Sequence, residues 1–350
     1  MNGIRVKLAD VQLFTERLGT LLHAGIPLIR SLTTLGNQTE NEALKKVLAG
    51  IRREVEGGGS FSEALARYPG VFNDYYVHLI RTGEAGGIME GVLGQLARSL
   101  EKEIHLRESV LKAFTYPVIV LVIACLAVTF LMIFIVPVFA KTYDMMHVTL
   151  PLPTLILVGL SRWMIRFGWS LPIIISGLIW GYKRFGGVHW GKVALDRFKL
   201  RAPLFGDLNR KVAVSRFVRT LGSLITSGVN MIESLRVTRE VSGNVVISAI
   251  VAQVEAAVSQ GERVVGPLKK ADLFPPMVTE MFAAGEEAGA LDEMLGKAAD
   301  FLDRDVDQTV GRLVSLLEPL LTLLLACLIG FIAMAIYLPM FDLIREVAVK

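Results

Sequence analysis

Apolar residues at Val11, Phe14, Leu18, Leu21 and Leu22 recur at helical spacing, and Gly25 with Pro27 stops that helix and starts another. A Ser60-x-x-Glu63 capping pattern after Gly57-Gly58-Gly59 opens a short helix that Pro69-Gly70 closes. A helix around Asn73 to Arg81, a turn over Gly83 to Gly87 and a long helix from about Ile88 follow. On that last helix Glu101, Lys102, Glu103, Arg107 and Glu108 mark an exposed face supported by charge pairs one turn apart. No breaker precedes Pro117, so the helix is expected to run straight into the apolar stretch that begins there. No segment alternates convincingly with a period of two, and the predicted class is all-α.

Two uncharged stretches are long enough for a bilayer core of about 30 Å, which takes roughly 20 helical residues. One is the 28 residues between Lys112 and Lys141, and the other the 23 between Glu318 and Asp342. Between Leu150 and Lys183, Arg162 and Arg166 leave only 16 uncharged residues before Lys183. Arginines at the centre of a bilayer cost at least about 2.5 kcal/mol each, which places them near an interface. The reading adopted is an amphipathic helix from Pro153 to Phe167 lying at the surface, then a span from Gly168 to Phe185; the rival has both halves crossing.

Charge separates the two. Ten Lys/Arg and only two acids lie between Lys183 and Arg219, against three Lys/Arg from Lys141 to Arg166, so the basic side is inside. Three spans result, with the N-terminus in and the C-terminus out. The predicted divisions are 1–113 (helical domain, inside), 114–140 (span), 141–167 (outer loop with the interfacial helix), 168–185 (span), 186–316 (basic linker and second helical domain, inside), 317–341 (span) and 342–350 (outer tail).

The chain also repeats itself. Sliding it by 203 residues places Phe14 to Leu32 on Phe217 to Leu235 with 8 of 19 positions identical. At 202 residues, Thr82 to Ala97 falls on Ala284 to Ala299 with 6 of 16 identical, and Pro117, Cys125, Pro137 and Phe139 fall on Pro319, Cys327, Pro339 and Phe341. Copies of one unit belong in one compartment, which independently requires the single return span.

Composition narrows the function. With 53% hydrophobic and 20% charged residues and a mean hydropathy of +0.52, the chain is too apolar for an ordinary soluble enzyme. A net charge of +4 gives no reason to expect nucleic acid. The first 15 residues carry no apolar run with a cleavage site, so no removable signal peptide is expected. Gly186-x4-Gly191-Lys192 resembles a phosphate loop, but Val193 stands where Mg²⁺ needs a hydroxyl; a flexible turn beside anionic headgroups is the better reading. Five scattered histidines have no ligand spacing. A transporter or channel subunit is the competing class, and the two clear spans offer it almost no ionisable residues.

Gly83-Glu84-Ala85-Gly86-Gly87 followed by Leu93, and Gly285-Glu286-Glu287-Ala288-Gly289 followed by Leu291 and Leu295, carry a family resemblance. So do Phe114-Thr115-Tyr116-Pro117 and Tyr337-Leu338-Pro339-Met340-Phe341. Over about residues 8–345 the chain resembles the type II secretion F family, the inner-membrane platform proteins of type II secretion systems and type IV pili. The resemblance implies a multi-pass protein of the bacterial inner membrane with two homologous cytoplasmic six-helix bundle domains and three transmembrane helices. Its loop and tail at 141–167 and 342–350 would be periplasmic. It also implies a non-enzyme that couples a cytoplasmic hexameric ATPase to assembly of pilin or pseudopilin subunits, alongside other inner-membrane assembly proteins. A homo-oligomer is expected.

The candidate sites are few. Gly83, Glu84 and Gly87, with Gly285, Glu286 and Gly289, are partner-interface candidates, against which stands a plain role for the acids near the next helix's N-terminus. Glu286 with Glu287 is the one cation candidate, and no cofactor is otherwise expected. Pro117, Pro137, Pro319 and Pro339 are candidates for hinges or helix termination in the spans.

Overall fold

The computed structural model describes residues 6–145, 151–187, 189–202, 205–271 and 273–348, and among these every element is helical. The chain divides into two compact units, one of residues 1–109 with 193–309 and one of 110–192 with 310–350.

The first unit holds both copies of the repeat. Copy one comprises α1 (Leu8–His23), α2 (Leu28–Gln38), α3 (Glu42–Glu56), α4 (Phe61–Ala66), α5 (Asp74–Gly86) and the start of α6 (Met89–Phe130). Three helices further along, after α7 (Val136–Met145), α8 (Leu152–Phe167) and α9 (Ser170–Gly187), α10 (His189–Arg201) leads into copy two. That copy comprises α11 (Gly206–Thr226), α12 (Met231–Val241), α13 (Val245–Ser259), α14 (Val265–Lys270), α15 (Pro276–Ala288) and the start of α16 (Leu291–Ala348). The expected turn near Gly186 is thus mostly helical, with residue 188 outside the described residues.

The same local devices build both copies. Gly25 and Gly228 hold φ of 76° and 81°, a region open to glycine at little cost, and each turns the chain between the first two helices. Asn41 and Asn244 accept from backbone N–H groups at the starts of α3 and α13. Phe14, Leu18, Leu32, Leu48, Phe61 and Leu79 lie in the core of copy one, and Phe217, Leu221, Leu235, Val251, Phe282 and Leu302 in that of copy two. Against the first core, the buried Tyr76 hydroxyl meets Thr15 Oγ1 at 2.9 Å, and burial pushes its phenol well above the ordinary range. Gly19 and Gly222 allow close packing: a Cβ on either would lie 3.3 or 3.1 Å from the Cβ of Leu93 or Leu295.

Among the described residues two helices are long and apolar enough to cross a membrane, over Met89–Met145 and Leu291–Pro339, and each runs into the second unit. The first contains a π-helical turn at Leu131–Ile135, ending two residues before Pro137. Pro117, Pro319 and Pro339 lie inside α6 and α16 rather than at their ends, so the termination reading fails for these three. Met132, Val136, Leu157, Val158, Ile332 and Ala335 form this unit's buried cluster.

Candidate functional site

The two Gly-Glu segments are helical, not turns. Gly83 and Glu84 belong to α5, which ends where Gly87 takes the left-handed conformation at φ 68°, and Gly285 and Glu286 belong to α15, which ends in the same way at Gly289. The glycine before each acid admits the following helix at close range. A Cβ on Gly83 would stand 3.0 Å from Val92 Cγ2, and one on Gly285 3.0 Å from the Leu291 Cα. Because the Leu291 backbone cannot swing aside as a side chain can, Gly285→Ala is expected to destabilise the protein by about 1–3 kcal/mol. Thermal unfolding of the purified chain would check this, and an unchanged midpoint would refute the packing argument.

The acids reach a helix other than the one expected. Glu84 turns away from α6 to the start of α4, accepting from the Phe61 N–H at 2.7 Å, the Ser62 N–H at 3.1 Å and the Ser62 hydroxyl at 2.8 Å. Two of the free donors at the start of α4 are met by this carboxylate, while the Ser60 hydroxyl accepts from the Glu63 N–H. Glu286 repeats the contact once, accepting from the Val264 N–H at 3.0 Å. Val265 stands where copy one has Ser62, so no hydroxyl is supplied, and Glu286 Oε2 is buried without a partner. The neighbouring Glu287 is exposed and pairs with Arg263 at 3.3 Å. No group of three or more potential metal ligands occurs among the described residues.

Within the first unit, copy one meets copy two through α5 and α6 on one side and α11 and α12 on the other. Gln95 donates to the Ser223 carbonyl at 2.6 Å and accepts from the Ser227 hydroxyl at 2.5 Å. Glu103 pairs with Arg216 at 2.8 Å, and His78 lies 3.8 Å from Glu233. Leu224 and Val237 of copy two are buried in the core of copy one. Tyr75 is enclosed at the same contact, and burial raises its phenol above the usual value.

The prolines of the spans occupy a third arrangement that the sequence did not suggest. Pro339 has no N–H to give the Ala335 carbonyl one helical turn back, and the Thr154 hydroxyl of α8 donates to that oxygen at 2.6 Å. In the π register, where the Val136 N–H bonds the Leu131 carbonyl, the Met132 carbonyl would look to residue 137, which is also proline. The Ser161 hydroxyl donates there at 2.5 Å. Thr154 and Ser161 are seven residues apart, two turns along one face of α8, with Leu157 and Val158 buried between them. The Tyr143 hydroxyl adds a bond to the Ile336 carbonyl at 2.8 Å. Two hydroxyls at helical spacing on one face, in a helix with no charge before Arg162, were the available signal. This face of α8 packs against the two apolar helices, while Trp163 and Ile165 are exposed.

These features define a tandem all-helical protein in which each copy is a helical module continued by a long apolar helix. The family described as type II secretion system protein F matches twice, over residues 14–137 and 217–339, so the chain belongs to that family. It is 41% identical to the type IV pilus assembly protein PilC of Thermus thermophilus over 344 residues, 98% of this chain and 84% of the relative. Identity to the PilC of Myxococcus xanthus is 37%, covering 95% of this chain and 80% of that one. Identity to the type II secretion system protein F of Xanthomonas campestris is 35%, covering 95% and 82%.

Proposed function

We propose that this chain is the inner-membrane platform of a type IV pilus or type II secretion system, coupling a cytoplasmic hexameric ATPase to the assembly of pilin or pseudopilin subunits. The observation that carries the proposal is the double family match, which takes in both soluble modules and both apolar helices. The fold suits a mechanical rather than a chemical role. Each of α6 and α16 is a single helix that runs from its module into the apolar stretch.

In this reading both six-helix modules are cytoplasmic, α9 is a third span and the C-terminus is periplasmic. At about 1.5 Å per residue the 18 residues of α9 reach roughly 27 Å, close to the bilayer core. Glu84 and Glu286 then hold the short helices α4 and α14 to α5 and α15, fixing the surface each module offers to the ATPase or a neighbouring assembly protein. Divalent cation binding at Glu286 and Glu287 is the remaining option for the unpartnered oxygen, tested by calcium or magnesium titration of thermal stability.

Deleting the gene is expected to abolish filaments, and restoring it to return them. Glu286→Ala should leave membrane insertion intact and prevent filament assembly; an unchanged filament yield would confine Glu286 to helix capping. Crosslinks from cysteines placed in the second module should capture the ATPase. ATP hydrolysis by the purified chain alone, or capture only of solute-binding proteins, would overturn the platform reading.

A further inference from the structure

We infer that α10 docks on the anionic phospholipid headgroups of the leaflet from which α9 emerges, through a stripe of arginines and an aromatic ring. The inference rests on the reading of α9 as a span with its C-terminal end on the cytoplasmic side. Only residue 188 separates Gly187, the end of α9, from His189, the start of α10, so α10 begins where the apolar helix stops.

One side of α10 is fixed to copy two. The buried Asp196 accepts from the Val245 N–H at 3.1 Å, at the start of α13. The Asn209 amide of α11 donates to the Lys199 carbonyl at 3.1 Å. Val193 and Leu200, three residues before Asp196 and four after it, are half-buried on the same side. With this side held, the rotation of the helix is set, and Ala194, Arg197, Phe198 and Arg201 all lie exposed at the three- and four-residue spacing of one outward face.

The outward face has the chemistry that an anionic lipid surface takes up. α10 carries Lys192, Arg197, Lys199 and Arg201 against a single acid, Asp196, which is turned inward. Lys199 lies 3.7 Å from Asp196, and the next acid along the chain, Asp207, pairs with Lys211 at 3.1 Å. No acid among the described residues pairs with Arg197 or Arg201. Phe198 stands 68% exposed between these two arginines. At a headgroup boundary such a ring enters the acyl edge while the guanidinium groups on either side bond phosphate. A bilayer boundary answers both needs, and the chain delivers α10 to it directly from α9.

The test places the full-length chain, with Cys125 and Cys327 replaced by alanine, in nanodiscs of phosphatidylcholine alone or with about 30% phosphatidylglycerol. A nitroxide on Ala194→Cys reports how far an aqueous relaxation agent reaches the outward face, and one on Gln260→Cys, exposed just past the far end of α13, reports on the rest of the module. Phosphatidylglycerol should lower access at position 194 about three- to fivefold and leave position 260 unchanged. Salt at about 1 M, or Arg197→Glu with Arg201→Glu, should remove the difference. Phe198→Ala should weaken it, and Arg197→Lys with Arg201→Lys should keep it. Equal access in both lipids, protection in both that charge reversal leaves in place, or equal protection at position 260 would each overturn the inference; the second would mean that protein, not lipid, covers the face. The span is tested separately in cells. A reporter at Arg201 that maps outside the cytoplasm would refute the reading of α9 alone, since nanodiscs leave both leaflets open to α10.

Discussion

Glu84→Ala is expected to destabilise the protein by about 2–4 kcal/mol, whereas Glu286→Ala at the equivalent position should cost only about 1 kcal/mol. The difference follows from what each carboxylate holds. Glu84 accepts three hydrogen bonds from Phe61 and Ser62, and its loss strands two backbone donors and a hydroxyl in a part-buried place. Glu286 accepts one, and its loss also removes a buried oxygen that has no partner. Glu84→Gln should fall between the two, because an amide offers one accepting oxygen in place of two. Thermal midpoints of the full-length chain in detergent compare all three, and equal losses at Glu84 and Glu286 would contradict the assignment.

Thr154→Val together with Ser161→Ala is expected to loosen α8 from the two apolar helices. Each hydroxyl satisfies a carbonyl that a proline leaves open, and in an apolar setting a bond of this kind is worth about 1–2 kcal/mol. The completely buried Leu157 reports the outcome. In a background without Cys125 and Cys327, Leu157→Cys should react with maleimide faster in the double variant, while Thr154→Ser should behave as the parent. Restoring the backbone N–H with Pro339→Ala gives a sharper check, since Thr154→Val should then cost less than it does beside Pro339. Unaltered labelling and equal costs in both backgrounds would show that the hydroxyls do not replace the missing bonds.

Much of the architecture was legible in the residues because it is local or repeated. Glycines at 25 and 228, the Ser60 cap, and the uncharged runs after Lys112 and Glu318 act through neighbours in sequence, and the duplication doubled every signal. The destinations of Glu84 and Glu286 were not legible: their donors lie 23 and 22 residues earlier, and the nearer N-terminus of the next helix was an equally good electrostatic partner. The prolines misled for a different reason. Pro117, Pro319 and Pro339 all continue their helices, and at Pro339 the carbonyl left open is met by Thr154, a partner that depends on packing between segments 181 residues apart. The coarse membrane pattern survived because apolar length needs no tertiary context. The face that α8 buries was not legible, since Arg162 and Arg166 say how deep a helix sits but not which face it buries.

The proposed platform requires both modules to share one side of the membrane. Reporter insertion at Arg17 and Arg219 of the full-length chain measures this directly. Both positions should report the cytoplasm, with a third reporter in the loop after Lys141 on the far side. Arg17 and Arg219 on opposite faces would contradict the tandem platform.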